Sequence, residues 1–187
     1  MWTYIVFPLF CVISVSYGDP VKDCGEAPNN ILKCITNSPQ EIATSLVRLE
    51  NCGKKHFSEC DIMTCAFREH NWMESDGDSL NKTKLMAHFN KLAVDQPLKK
   101  PVIDHVVPDC IERKLSPRGV YLNCPAYDLM QCLFTTYVRK SPGSWWSTEE
   151  SCANARYYAA SCPVCPTDCF AALIPIGSCN ACTEYPH

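Results

Sequence analysis

Residues 82–93 read Lys82-Thr83-Lys84-Leu85-Met86-Ala87-His88-Phe89-Asn90-Lys91-Leu92-Ala93. Leu85, Met86, Phe89, Leu92 and Ala93 fall on one side at helical spacing, while Lys82, Lys84, His88, Asn90 and Lys91 fall largely opposite. A strand would need strict alternation of apolar and polar residues, and this stretch has none. The same reading extends in both directions along the chain. Pro101 opens a segment in which Val102, Ile103, Val106, Val107, Cys110 and Ile111 repeat at helical spacing, with Pro108 placed to kink or split the helix. Residues 125–138 are apolar on nearly every side, through Tyr127, Leu129, Met130, Cys132, Leu133, Phe134, Tyr137 and Val138, so that helix belongs in the middle of the domain.

Upstream, residues 58–72 read as a helix followed by the polar turn Glu74-Ser75-Asp76-Gly77-Asp78. Further upstream, Ser38-Pro39-Gln40-Glu41 is a capping box with proline at the first helical position, and Ile42, Ala43, Leu46, Val47 and Leu49 continue the period. A second capping box, Ser147-Thr148-Glu149-Glu150, starts a sixth segment that runs to about residue 161. No alternating run with hairpin punctuation argues for a sheet. The fold class is all-α, with about six helices.

Composition sets the compartment and excludes several functions. Residues 1–18, MWTYIVFPLFCVISVSYG, form an uncharged apolar run ending in small residues at Ser16 and Gly18, which reads as a secretory signal cleaved before Asp19. The run is too short and too interrupted for a membrane span, and no later stretch approaches eighteen consecutive apolar residues, so no membrane insertion is expected. The chain holds 15 cysteines in 187 residues. Cys11 leaves with the signal, and an even number remains for disulfides in an oxidising compartment. Each disulfide contributes roughly 2–4 kcal/mol. A net charge of −3 lacks the clustered basic face of a nucleic-acid binder.

Three regions follow: the signal at 1–18, a helical domain over 19–162 whose start (19–37) is a stapled extension, and a Cys-rich tail over 163–187. Around the start of the tail, Cys162-x2-Cys165 and Cys179-x2-Cys182 have the spacing of zinc knuckles, but the expected compartment and the extra Cys169 between the pairs favour disulfides, so no metal is expected. His56, His70, His88, His105 and His187 are scattered without an HExxH pair. No GxSxG elbow and no glycine-rich phosphate loop is present, so neither enzyme activity nor a cofactor is expected. His105, near an apolar stripe, reads as a structural residue. A histidine acting as a pH sensor fits better than a catalytic one. Asn81-Lys82-Thr83 is the one N-glycosylation sequon.

Trp72, Trp145 and Trp146, with Phe67, Phe89, Phe134, Tyr127 and Tyr137, are the large residues of the helical core. Together with Met86 and Met130 they serve either as solid fill or as the lining of an internal cavity, and at this level both readings stand.

The order of cysteines and helices resembles the insect odorant-binding proteins, in particular their Plus-C subgroup. Cys34, Cys60, Cys65, Cys110, Cys124 and Cys132 follow the family's six-cysteine order, with 25, 4, 44, 13 and 7 residues between them. The second and fifth gaps each depart from the family pattern by one residue. Cys65-Ala66-Phe67-Arg68, continuing through Asp76-Gly77 to Leu85, is similar to the family's second-to-third helix passage, and Asn123-Cys124-Pro125 to Cys132 to its fifth helix. Ser141-Pro142-Gly143-Ser144-Trp145-Trp146, leading to Cys152 and Cys162, is similar to the Plus-C extension, with Ser141 where that extension has a cysteine. One family disulfide is therefore absent or re-partnered.

The resemblance covers about 24–165. It implies a compact disulfide-tied bundle of about six helices around an apolar cavity, with Cys34 paired to Cys65, Cys60 to Cys124 and Cys110 to Cys132. It further implies a secreted carrier that binds and solubilises odorants, pheromones or similar small apolar ligands in olfaction, with a membrane receptor or a second copy of the chain as further partners. Phe67, Leu85, Met86, Phe89, Val106, Met130, Phe134 and Tyr137 are the expected lining, and the tail around 170–176 the expected lid. The rival reading is a disulfide-stapled interaction protein of salivary or venom type, packed solid.

Overall fold

A computed structural model describes residues 26–37, 52–53, 58–115, 121, 123–162 and 164–165. The expected signal, the helix expected after Ser38, His56, His187 and the lid around 170–176 lie outside these residues. Within them are five α-helices: α1 (Glu59–Glu69), α2 (Lys82–Asp95), α3 (Lys100–Val106), α4 (Pro125–Lys140) and α5 (Ala153–Ser161). Among the described residues there is no strand, only the isolated antiparallel bridges Ile35 to Trp146 and Met73 to Leu80. No described helix is long and apolar enough to cross a membrane.

The ends of α1 follow from its sequence. The Ser58 side chain accepts from the Asp61 backbone N–H at 3.1 Å, satisfying one of the donors a helix start leaves open. The helix stops before the expected residue 72 because Asn71 turns to φ 58°. The Trp72 N–H then reaches back to the Phe67 carbonyl, and the Asn71 N–H to that of Arg68, both at 2.9 Å. This is a Schellman ending, closed by the edge contact of the Phe67 and Trp72 rings at 5.3 Å. Helix α2 starts as the lysine-lined stripe predicts, with the Asn81 side chain accepting from the Lys84 N–H at 2.9 Å.

Pro108 divides its helix as expected: the α-helical part ends at Val106 and the coil continues in another form. It lacks the N–H that would bond four residues back, so the coil widens by one residue into a π-helical turn (Val107–Glu112), closed by Arg113 N–H to the Pro108 carbonyl at 3.3 Å. Cys110 and Ile111 are buried within that turn. Helix α4 is central, packing against α1, α3 and α5. It ends in Arg139 and Lys140, favourable beside the open carbonyls, and Ser141-Pro142 stops it. The Ser141 hydroxyl donates to the Tyr137 carbonyl at 2.6 Å.

The capping box at Ser147 does not start the last helix. Trp146 is bridged to Ile35, and the Ser147 N–H donates to the Cys34 carbonyl at 2.8 Å, so the chain there is tied to the N-terminal segment. A 3₁₀ turn (Glu150–Cys152) intervenes, and α5 begins at Ala153. The Arg156 guanidinium holds the connection by donating to the Ser147 and Glu149 carbonyls.

Four disulfides have both cysteines among the described residues: Cys34–Cys152, Cys52–Cys65, Cys60–Cys124 and Cys110–Cys132. The last two are the pairs the resemblance implies. The implied partnership of Cys34 with Cys65 is corrected. The Ile35–Trp146 bridge, with the Thr36 N–H bonded to the Trp145 carbonyl at 2.7 Å, carries Cys34 to Cys152. Cys65 on α1 takes Cys52, with 5.9 Å between their Cα atoms. Cys162 and Cys165 are disulfide-bonded as well, so neither supplies a thiolate to a zinc knuckle.

Candidate functional site

Four helices turn their apolar stripes toward one another. Phe67 of α1, Leu85, Met86 and Phe89 of α2, Val106 of α3, and Met130 and Tyr137 of α4 all belong to one cluster. Phe67, Leu85 and Val106 expose 0% of their surface, while Met130 keeps 7% and Met86 is half-buried. The sequence stripes account for this convergence, since each residue lies on the buried face of its helix.

Phe134 is the expected lining residue that does not join the others. It lies about 40° around α4 from Met130 at 100° per residue, on the side of Val138. It packs instead with Ile31, Cys34, Val138, Cys152, Ala155, Tyr158 and Cys162 in a second cluster. Trp72 and Trp145 are buried in the first cluster, with Trp146 half-buried against both.

Two methionines are among the contributors the sequence analysis did not name. Met63 sits one turn before Phe67 on the same face, a signal that was present in the spacing. Met73 lies beyond the end of α1 and reaches the cluster through its bridge to Leu80, which no local pattern announces. Met63, Met73, Met86 and Met130 therefore meet in one cluster. The chain has five methionines.

The histidines are also placed differently from expectation. His105 is exposed rather than structural. His70 and His88 instead flank the Trp72 indole, His70 stacked at 4.6 Å and His88 tilted at 5.0 Å between ring centroids. The Phe89 ring stands 6.2 Å from the same indole, so this aromatic group borders the apolar cluster.

The loop between α1 and α2 is polar and tightly folded. Asp76 accepts from the Asp78 N–H at 2.9 Å and from the Ser79 N–H and hydroxyl. The Asp78 bond above all holds its carboxyl below the usual range, against an opposing desolvation and with the Ser79 bonds adding to the fall. Gly77 turns to φ 77° and its carbonyl accepts from the Arg68 guanidinium at 3.2 Å.

The first cluster is made of apolar and polarisable side chains, with Phe67, Leu85 and Val106 fully buried. Among the described residues, ligand atoms of Cys52, Cys65 and Glu69 lie within 4.8 Å of one another, but the two cysteines share a disulfide and hold no free thiolate. No family model matches the chain, and no curated protein or solved structure is found similar to it. The likeness to odorant-binding proteins therefore rests on the cysteine order and the quoted segments.

Proposed function

We propose that the protein is a secreted carrier that binds and solubilises small apolar molecules in extracellular fluid, as the resemblance to odorant-binding proteins implies. The observation that carries this reading is the meeting of Met63, Met73, Met86 and Met130 among buried aromatic and aliphatic side chains. Methionine has three rotatable bonds and a polarisable sulfur, so such a group accommodates irregular apolar shapes. With Phe67, Leu85 and Val106 at 0% exposure, the ligand's room is made by swinging methionines aside rather than found ready-made. Apolar surface leaving water contributes roughly 25 cal/mol per Å², less the ordering and repacking it demands, which puts a ligand of modest size in about the micromolar range.

The same exposures favour a second reading, a disulfide-stapled interaction protein whose helices pack solid. Displacement of a fluorescent apolar probe from the oxidised protein, with a panel of volatile and fatty competitors, separates the two. Saturable micromolar binding with competition supports the carrier. No probe uptake by well-folded protein overturns it in favour of the solid interaction protein.

A further inference from the structure

The sequon Asn81-Lys82-Thr83 sits at the start of α2. We propose that Asn81 carries an N-linked glycan, a modification that rests on the secretion proposed above. Lys82 and Thr83 are exposed and Asn81 is half-exposed, so the acceptor lies at the surface. Asn81 itself is outside the helix, at φ −79° and ψ 85°, where the chain is still turning.

The hydrogen bonds of its side chain are compatible with the modification. The Asn81 carbonyl oxygen caps α2 through the Lys84 N–H, and Nδ2 donates to Glu74 Oε2 at 3.1 Å. N-glycosylation forms a bond from Nδ2 to the anomeric carbon of an oligosaccharide carried on a polyisoprenyl diphosphate. The lipid diphosphate leaves, and one Nδ2 proton is given up to it. The carbonyl oxygen is untouched and one N–H remains, so the cap persists and the amide keeps a donor for Glu74.

The surroundings are hydrophilic. Glu74, Asp76, Asp78, Lys82 and Lys84 are all exposed near this end of α2. The exposed apolar residues Val94 and Leu98 lie at the other end of the same helix and beyond it. A glycan at Asn81 thus extends over charged surface and buries no apolar patch.

The test is expression of the full chain in a eukaryotic secretory host, followed by intact mass and peptide mapping before and after an amidase that releases N-glycans. The secreted protein is expected to carry one glycan, and the amidase to convert Asn81 to aspartate. Asn81→Gln and Thr83→Ala should abolish the glycan, and Thr83→Ser should retain it. Thr83→Ala leaves the Asn81 cap in place, so loss of the glycan there is not a folding defect. A secreted, disulfide-bonded wild type with unmodified Asn81 overturns the proposal. Retention inside the cell with residues 1–18 still attached overturns the secretion reading instead. A different secretion leader placed before residue 19 then tests the sequon alone, with the same two outcomes.

Discussion

Helix α4 separates two apolar clusters that are held together differently. On one side, Met130 and Tyr137 meet three other helices, and the cluster is large, aromatic and rich in methionine. On the other, Val138 and Phe134 meet the turn at Ile31–Cys34 and helix α5 in a smaller cluster containing three cysteines, Cys34, Cys152 and Cys162. The first has the burial to hold by packing, with Cys110–Cys132 and Cys60–Cys124 as ties between its elements. The second joins distant parts of the chain through one backbone bridge, the Cys34–Cys152 disulfide, and Arg139, whose guanidinium donates to the Ala159 and Cys162 carbonyls at the end of α5. A small domain can thus hold one half by area removed from water and the other by covalent and charge-assisted ties.

The largest expected effect strikes the first cluster. Phe67→Ala removes a fully buried ring that also closes the Schellman ending of α1, and should cost about 3–5 kcal/mol in urea unfolding. It should also weaken probe binding, while amide exchange in α5 changes less than in α1 and α2. Replacing Cys34 and Cys152 together by serine tests the other half. The Cys60–Cys124 disulfide already shortens the loop that Cys34–Cys152 closes, so a loss of roughly 4 kcal/mol is expected from chain entropy. Exchange protection should fall in α5 and spare α2; equal loss in both would mean the two clusters unfold as one.

Gly77→Ala probes the connection rather than either cluster. A Cβ there would crowd the Arg68 guanidinium, and φ 77° disfavours any L side chain, so about 1–2 kcal/mol should be lost. The variant Arg68→Ala should relieve the contact but leave the backbone strain, giving a non-additive pair. Alkaline titration marks the second cluster. Burial pushes the Tyr158 hydroxyl above its usual value, with Glu26 adding to the rise and Arg139 opposing it. The unfolded chain therefore loses this proton first, so the contribution is full below pH 10 and is lost as pH climbs through the raised value. Tyr158→Phe should flatten that part of the profile. The smallest effect is Lys91→Ala, which breaks an exposed pair with Asp95 and should stay within about 0.5 kcal/mol.

The helices were legible where one residue type dominated one face. Leu85, Phe89 and Leu92 announce α2, and the stretch 125–138, apolar on nearly every side, announces the central helix, because burial is written directly into their spacing. Seven of the eight expected lining residues meet for that reason. Phe134 does not, because a helix apolar on nearly every side carries no mark of which neighbour each side faces. The start of α5 and the partner of Cys34 were illegible for a related reason. Both depend on the pairing of Ile35 with Trp146, a contact between residues far apart in the chain. Local capping signals at Ser147 say nothing about it.

The Cys34–Cys152 disulfide also sets an order of events as the chain is made. Its two cysteines are 118 residues apart, whereas Cys52 and Cys65 are 13 apart. A growing chain can close the short ring almost as soon as it emerges, but Cys34 must keep its thiol until nearly the whole protein has been synthesised. During that interval Cys52, Cys60, Cys65, Cys110, Cys124 and Cys132 all emerge before its true partner exists. Early closure of Cys52 with Cys65 removes two of those six wrong choices, so among the described disulfides the shortest ring protects the longest one.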